Sequence, residues 1–257
     1  MVDSFAASQA EEHAGRIFAL ADRYMLRHSE AAAEELKALY DQTADYCRQG
    51  CAAYDGVMAL HAHVLALWNV NGHFDRSLAF AYAHQAEECY QKFLDSDAVS
   101  AMMEVDQRVY RLYLKNVRLI CAYVDYCSDD LYGAQQWLQK IGLENPEVSA
   151  VALMASVLFR LTMDEGREDS LAPFDLFRAM DQMFVQPLRH PFEEDILRTA
   201  YGFYELYYTH GVCDPARSVP YDPAQAVRIL TRACALFADA RQKERMLENI
   251  NEAKGKC

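Results

Sequence analysis

The stretch from residue 57 to residue 94 reads VMALHAHVLALWNVNGHFDRSLAFAYAHQAEECYQKFL and contains two amphipathic patterns separated by a short turn. In each half the apolar residues recur every three or four positions, which is the period of an α-helix with one buried face. Asn71 and Gly72 tolerate the left-handed backbone that ends many helices, and Asp75 is a good N-cap for the second helix. The stretch therefore predicts a helical hairpin whose two halves must bury their apolar faces against each other or against neighbours.

The rest of the chain continues this pattern. Asp97 opens the longest periodic segment, which reaches Cys127 without a Gly or Pro and predicts one long central helix. The segment after Pro146 is apolar on nearly all sides, which is typical of a buried helix. The helical spacing of the long segment is carried by Met102, Val105, Val109, Leu112, Val117, Ile120 and Val124. The further predicted helices span 8–28, 30–49, 131–141, 146–163, 173–184, 191–210 and 223–237, followed by a charged C-terminal helix.

Composition supports an all-α fold. The 257 residues include only 10 Gly and 7 Pro, and 52% of them are hydrophobic, which is enough for a packed interior. We find no Val/Ile-rich strand followed by a glycine loop. We therefore expect one domain over residues 1–257, built as an antiparallel array of helical hairpins, with a soft boundary in the polar loop 164–170.

The net charge and the placement of the cysteines indicate which partners and which cellular compartment to expect. A formal net charge of −13 disfavours nucleic acid and anionic membranes and favours a basic peptide or a cation, although acidity is also common among cytosolic proteins. No apolar run reaches the ~18–20 residues of a membrane span, and the N-terminus lacks a signal-peptide pattern. Cys47 and Cys51 lack a second pair at zinc-finger spacing, so we expect reduced thiols in the cytoplasm.

The segment 200–238 resembles a Sel1-type or tetratricopeptide repeat. The matching residues are Ala200, Tyr207, Gly211, Val212, Asp222, Ala226, Leu230 and Ala233. Gly72, Phe74 and Leu78 resemble the turn between the two helices of such a repeat, and Ala134, Leu138 and Pro146 resemble its second helix and closing proline. The resemblance implies a right-handed superhelical scaffold whose concave face holds a peptide or a protein segment.

Catalytic and metal-binding patterns are weak by comparison. His61 and His63 point about 200° apart on a helix, so they cannot share one ion. His84 with Glu87 or Glu88 has the spacing of a helical metal pair, but a matching Glu-x-x-His set on a second helix is missing. We find no phosphate loop, nucleophile elbow or calcium loop. The sequence therefore predicts no enzyme, no cofactor and no metal.

We interpret the chain as a non-catalytic scaffold for protein–protein interaction. The expected groove is lined by Asn69, His73, Tyr204, Tyr208 and His210, because tyrosine combines an apolar ring with a polar tip and is frequent among binding anchors. Two alternatives stay open. One is a helical bundle that binds a small ligand or metal between the central helix and its neighbours, and the other is a regulatory domain that self-associates.

Overall fold

The structure of the protein is a computed structural model that describes residues 2–49, 52–73, 75–142, 147–166, 170–183, 190–213 and 218–256. For residues 2–7, 52–53, 73 and 213 it describes the backbone alone. The predicted all-α class is confirmed, since helices account for nearly all of the described chain. These helices are α1 Val2–Arg27, α2 Glu30–Arg48, α3 Ala52–Trp68, α4 Arg76–Leu94, α5 Asp97–Ser100, α6 Glu104–Cys127, α7 Leu131–Ile141, α8 Val148–Asp164, α9 Ala172–Gln182, α10 Pro191–His210, α11 Pro223–Cys234 and α12 Ala240–Gly255.

The chain divides into two compact units, Met1–Val124 and Asp125–Cys257, and the division falls inside α6. The expected soft boundary at 164–170 lies within the second of these units. In the first unit α1 packs on α2 and α3, α2 packs on α3, and α3 packs on α4. In the second unit α8 packs on α9 and α10, while α10 also packs on α11 and α12. In both units a helix therefore contacts the next helix and the one after it.

The hairpin at residues 57–94 forms as predicted, with α3 and α4 as its two helices. Its turn differs from the prediction, because Asn69–His73 continue α3 as a π-helical turn and Gly72 does not adopt a left-handed backbone. Asp75 caps α4 as expected, since its Oδ1 accepts a hydrogen bond from the Leu78 amide at 3.0 Å.

The prediction of one helix from Asp97 to Cys127 is wrong, because the chain forms two helices there. The short α5 ends at Ser100, and α6 begins at Glu104. The Gln107 side chain stabilises the break, since its Nε2 donates to the carbonyl oxygens of Val99 at 3.0 Å and Met102 at 3.3 Å. A helix can thus end without Gly or Pro when a side chain satisfies its last carbonyl groups.

In the second unit most predicted elements are present. The burial expected for α8 is confirmed. Helix α10 ends at Gly211, whose φ of 70° and tight contact leave little room for another residue, because an added Cβ would lie 3.2 Å from the Tyr221 amide nitrogen. A small antiparallel hairpin, β1 Val212–Cys213 with β2 Ser218–Val219, was not predicted. The predicted helix start at Asn145 and Pro146, and residue Phe184, lie outside the described residues.

Aspartate side chains cap the N-termini of α7 and α11. Asp130 accepts from the Gly133 amide at 2.8 Å, and Asp222 accepts from the Gln225 amide at 2.9 Å. Of the helices that the structure describes, none combines the length and the apolar character needed to cross a lipid bilayer.

Candidate functional site

The five predicted binding residues lie in two places. Asn69 and His73 belong to the first unit, and Asn69 is buried, with its Nδ2 donating to the Leu65 carbonyl oxygen at 2.8 Å. Asn69 therefore closes its own helix rather than facing a groove. The side chain of His73 lies outside the described part of the chain. Tyr204, Tyr208 and His210 belong to α10 in the second unit.

Tyr204 is a core residue. Its ring is 3% exposed and packs against Phe174 and Phe177, with centroids 5.7 Å and 5.8 Å away. Burial, together with the neighbouring Tyr208 hydroxyl at 3.4 Å, raises the pKa of Tyr204 well above its ordinary value. Tyr204 therefore belongs to the buried stripe of α10 and does not face a groove. Tyr208 is half-buried at the edge of the same cluster.

His210 is exposed at the C-terminal end of α10. Its Nδ1 lies 3.2 Å from the Leu206 carbonyl oxygen, as expected for a histidine that interacts with the negative end of a helix. Of the predicted residues whose side chains are described, Tyr208 and His210 thus retain accessible surface. Whether they bind a partner stays a prediction.

The histidines of α3 are structural. Burial lowers the pKa of His61 and that of His63 to about 4, so both rings are neutral at pH 7. His61 Nε2 donates to the Leu36 carbonyl oxygen at 2.7 Å, and its Nδ1 lies 2.9 Å from the Thr43 hydroxyl. His63 Nε2 donates to Asn116 Oδ1 at 2.8 Å. His61 therefore bonds to α2 and His63 bonds to α6, so the two rings point in different directions from α3, as their spacing predicts.

An exposed apolar face on α6 is the feature that sequence reasoning misjudged. Val105, Val109 and Leu112 are 60%, 39% and 39% exposed, and Met103, just before the helix, is 69% exposed. Their spacing of four and three residues places the three helical side chains on one side of α6. We call Met103, Val105, Val109 and Leu112 the α6 face.

The opposite side of α6 packs on its own unit. The Tyr110 ring lies 4.8 Å from Phe93 and the Tyr113 ring 5.4 Å from His63, measured between centroids. Arg118 donates from Nε at 3.0 Å and from Nη2 at 2.8 Å to Glu87 Oε1. These aromatic and ionic contacts attach α6 to its own unit on a side of the helix other than the α6 face.

Basic side chains border the α6 face. Arg108, Arg111 and Lys115 follow one another at intervals of three and four residues along one edge of the helix, and we call them the basic edge. Arg108 forms an ion pair with Glu104, and Arg111 Nη2 donates to Gln107 Oε1 at 3.3 Å. The chain as a whole has a net charge of −13, whereas the basic edge is locally positive.

Two signals in the sequence point to this surface. The valines and Leu112 have the period of a buried stripe, so periodicity alone predicts burial. The three basic residues on the flank of the stripe are the second signal, since an apolar stripe edged by one sign of charge is typical of helices that bind a partner helix. The spacing identifies which residues share a side, whereas only the structure shows that this side is exposed.

The residues best placed to hold a metal ion lie elsewhere in the first unit. Cys47, Asp55 and Cys89 bring two sulfur atoms and a carboxylate oxygen within 4.8 Å of one another. The predicted His84–Glu88 pair is a surface contact, with His84 Nδ1 3.6 Å from Glu88 Oε1 and both side chains about half exposed. Comparison of the chain with family models, with curated proteins and with solved structures finds no match.

Proposed function

We propose that the protein is a non-catalytic helical scaffold that binds an amphipathic, acidic helix of a protein partner on the α6 face. The observation that carries this proposal is the exposure of Val105, Val109 and Leu112 on one side of α6, with the exposed Met103 just before the helix. Soluble proteins rarely leave such a row in water, and apolar patches rimmed by polar residues mark interaction sites. We propose the cytoplasm as its compartment, because the described cysteines Cys47, Cys89 and Cys234 form no disulfide.

The order of helix contacts supports a tetratricopeptide-like arrangement within each unit. In such arrays the first helix of a pair packs on its partner and on the first helix of the next pair. The contacts of α1 with α2 and α3 follow this rule, as do those of α8 with α9 and α10 and those of α10 with α11 and α12. We propose that each unit is a short array of this type and that α6 does not belong to it.

The charges next to the α6 face favour an acidic partner, whereas the net charge of the chain alone favours a basic one. A bound helix places its flanking residues against Arg108, Arg111 and Lys115. Asp or Glu at those positions would gain charge-assisted contacts, and Lys or Arg would be repelled. Local charge decides here, because charges beyond about 10 Å are largely screened at physiological salt.

The same charges disfavour pairing of the α6 face with a second copy of this chain. In heptad notation Val109 takes position a, Val105 and Leu112 take position d, and Arg108 and Lys115 take position g. An antiparallel pair would place Arg108 opposite Lys115 of the second copy, which is a like-charge contact. We therefore propose a different protein as the partner.

Two synthetic helical peptides test this proposal directly. Both carry the same Leu seam and differ only in Glu or Lys at the flanking positions, and binding is measured by fluorescence anisotropy. We expect the Glu peptide to bind at least about tenfold more tightly, and we expect added salt to reduce the difference. Equal binding of the two peptides would overturn the proposed chemistry of the partner.

Substitutions locate the binding surface. Val109→Asp combined with Leu112→Asp should weaken binding of the Glu peptide at least about tenfold, because two charges then replace the centre of the seam. The control is Leu247→Asp, which alters an exposed leucine of α12 and should leave binding unchanged. Unchanged binding by the double variant contradicts the proposal. A concentration-dependent dimer in sedimentation that Val109→Asp abolishes would replace it with self-association.

Tyr208 and His210 stay candidates for a second contact surface on the second unit, because both keep accessible surface at the end of α10. The alternative function, a helical bundle that binds a metal or small ligand, has support in one place. That place is the group formed by Cys47, Asp55 and Cys89.

A further inference from the structure

Three successive helices contribute one ligating side chain each to a common point in the first unit. Cys47 comes from the last turn of α2, Asp55 from the first turn of α3, and Cys89 from the middle of α4. Their sulfur and carboxylate oxygen atoms all lie within 4.8 Å of one another. The Cys47 thiol donates to Asp55 Oδ1 at 3.3 Å, so two of the three groups are already in direct contact.

The separations fit a tetrahedral metal centre. Zinc binds thiolate sulfur at about 2.3 Å and carboxylate oxygen at about 2.0–2.2 Å, so its ligand atoms lie about 3.5–3.8 Å apart. The Cys47–Asp55 distance is close to this value, and small side-chain rotations bring Cys89 Sγ to it from within 4.8 Å. Two sulfurs and one oxygen leave a fourth position for water or another ligand, as in zinc sites that are not closed.

The environment of the sulfur atoms fits a bound cation. Cys89 is 1% exposed, and Cys47 is half-buried. Gln85 Nε2 donates to Cys89 Sγ at 3.1 Å, and such a hydrogen bond stabilises a metal-bound thiolate. A single buried cysteine is ordinary core packing. Two cysteines from different helices that share a point with a carboxylate are the combination that soft divalent metals bind.

Protonation of the thiols follows from the same geometry. Burial, followed by the contact with Asp55, raises the pKa of Cys47 to about 12, and burial also raises the pKa of Cys89. Both thiols are therefore protonated at neutral pH while no ion is bound, and a dication has to displace both protons. The other titratable groups in range of the sulfurs are Tyr40, Asp55, Glu88 and Lys92.

We propose that Cys47, Asp55 and Cys89 form a zinc-type metal site with an open fourth coordination position. None of its ligands belongs to the α6 face, so different substitutions test the two proposals, although Cys89 lies in one buried cluster with Leu114 and Val117 of α6. A metal there would connect α2, α3 and α4 and would stabilise the folded form of the first unit in proportion to its affinity.

Cobalt is the probe for this site, because Co²⁺ replaces zinc and absorbs light. Reduced, metal-free protein titrated with Co²⁺ should develop thiolate-to-cobalt charge-transfer absorption that saturates at one equivalent and disappears when Zn²⁺ is added. Cys47→Ser, Cys89→Ser and Asp55→Asn should each weaken binding at least about tenfold. Asp55→Asn is nearly isosteric, so it reports on the carboxylate even if a cysteine variant folds poorly.

Two other cysteines supply matched controls. Cys234→Ser changes a half-buried thiol and Cys121→Ser a buried one, and both should leave the cobalt titration unchanged while circular dichroism confirms the helical fold. Cobalt binding as tight as that of the wild type in Cys47→Ser or in Cys89→Ser would overturn the proposal. So would a loss of the same size in both control variants, or a Cys47–Cys89 disulfide that forms in the presence of a reductant.

Proton release gives a second, independent readout. Because two thiols lose their protons when the metal binds, about two protons should be released for each ion at neutral pH, and apparent affinity should fall about a hundredfold for each pH unit of acidification. A pH indicator in weakly buffered solution measures this release. Cys89→Ser should release about one proton, and metal binding by the wild type without proton release would contradict thiolate ligation.

Discussion

The two units of the molecule share an order of helix contacts and fill their interiors differently. The core of the first unit contains hydrogen-bonded histidines, with His13 Nε2 2.8 Å from the Thr43 hydroxyl and Thr43 2.9 Å from His61 Nδ1. The core of the second unit is built from stacked and tilted aromatic rings. Similar helix connectivity therefore accommodates a hydrogen-bonded histidine network beside aromatic rings such as Tyr90 and Tyr113 in the first unit, and an aromatic cluster between α9 and α10 in the second.

The difference predicts distinct weaknesses. Aromatic packing is non-directional and loses stability when volume is removed. A buried histidine network depends on one tautomer and on neutral rings, so it loses stability when protons are added. Each unit also carries its own fluorescent reporter, because Trp68 lies in the first unit and Trp137 in the second. Single-tryptophan variants can therefore follow the two units separately.

The largest expected effect comes from removing a ring of the aromatic core. Phe177 is fully buried, and its ring lies 5.8 Å from that of Tyr204 and 6.2 Å from that of Tyr207, between centroids. Phe177→Ala should lower the free energy of unfolding reported by Trp137 by about 3–5 kcal/mol, because a cavity replaces the ring. Urea titration of a protein with Trp137 as its only tryptophan measures this loss.

Tyr132→Ala is the control for that substitution. Tyr132 is 62% exposed on α7 of the same unit, so its removal should change the free energy of unfolding by less than about 1 kcal/mol. A loss below about 1 kcal/mol for Phe177→Ala would show that the aromatic cluster is dispensable. The difference between the two cores would then have no measurable effect on the free energy of unfolding.

An intermediate effect is expected from acid. The pKa of buried His63 is about 4, whereas that of a histidine in an unfolded chain is about 6.5. Between these two pH values the unfolded form binds a proton at this ring and the folded form does not. Full stability is present above about pH 6.5 and is lost as pH falls toward about 4. Between about pH 7 and about pH 5 this one ring should cost the first unit about 2 kcal/mol.

His63→Gln isolates this contribution. The variant keeps a polar side chain in the place where His63 Nε2 donates to Asn116, and it removes the titration. Its stability, followed by Trp68, should fall about 2 kcal/mol less than that of the wild type over the same pH range. His84→Gln alters an exposed ring of the same unit and serves as the control. Equal pH slopes for His63→Gln and wild type would refute the buried-histidine account.

Sequence reasoning succeeds where local rules decide the outcome. The hairpin of α3 and α4, the cap at Asp75 and the burial of α8 follow from residue period and capping chemistry. These features depend on residues that are close to each other in the sequence, so they can be predicted from the sequence alone.

Sequence reasoning fails where contacts between segments far apart in the sequence decide the outcome. Period places Val105 and Val109 on one side of a helix, but whether another element covers that side is a property of the tertiary structure. Cys47 and Cys89 meet only because α2 and α4 both pack around α3, and neither cysteine has a partner at a recognisable spacing. Tyr204 enters the core because Phe174 and Phe177 of α9 pack against it.

The smallest expected effect tests whether the two units differ in anything besides their cores. Asp75 caps α4 in the first unit and Asp222 caps α11 in the second, with acceptor distances of 3.0 Å and 2.9 Å. Asp75→Ala and Asp222→Ala should each lower the free energy of unfolding by about 1 kcal/mol, because each leaves one helix amide without its acceptor.

The Asn variants at both caps separate the contribution of the capping hydrogen bond from that of the carboxylate charge. Asn keeps the accepting oxygen, so Asp75→Asn should restore most of the stability that Ala removes. Asp222 also lies 3.7 Å from Arg228 Nη2, and an exposed pair of this kind contributes at most about 1 kcal/mol, so Asp222→Asn should retain a small deficit that high salt abolishes. Equal losses for the two Ala variants would place the difference between the units in their buried interiors. A clearly larger loss at either cap would show that helix ends also differentiate them.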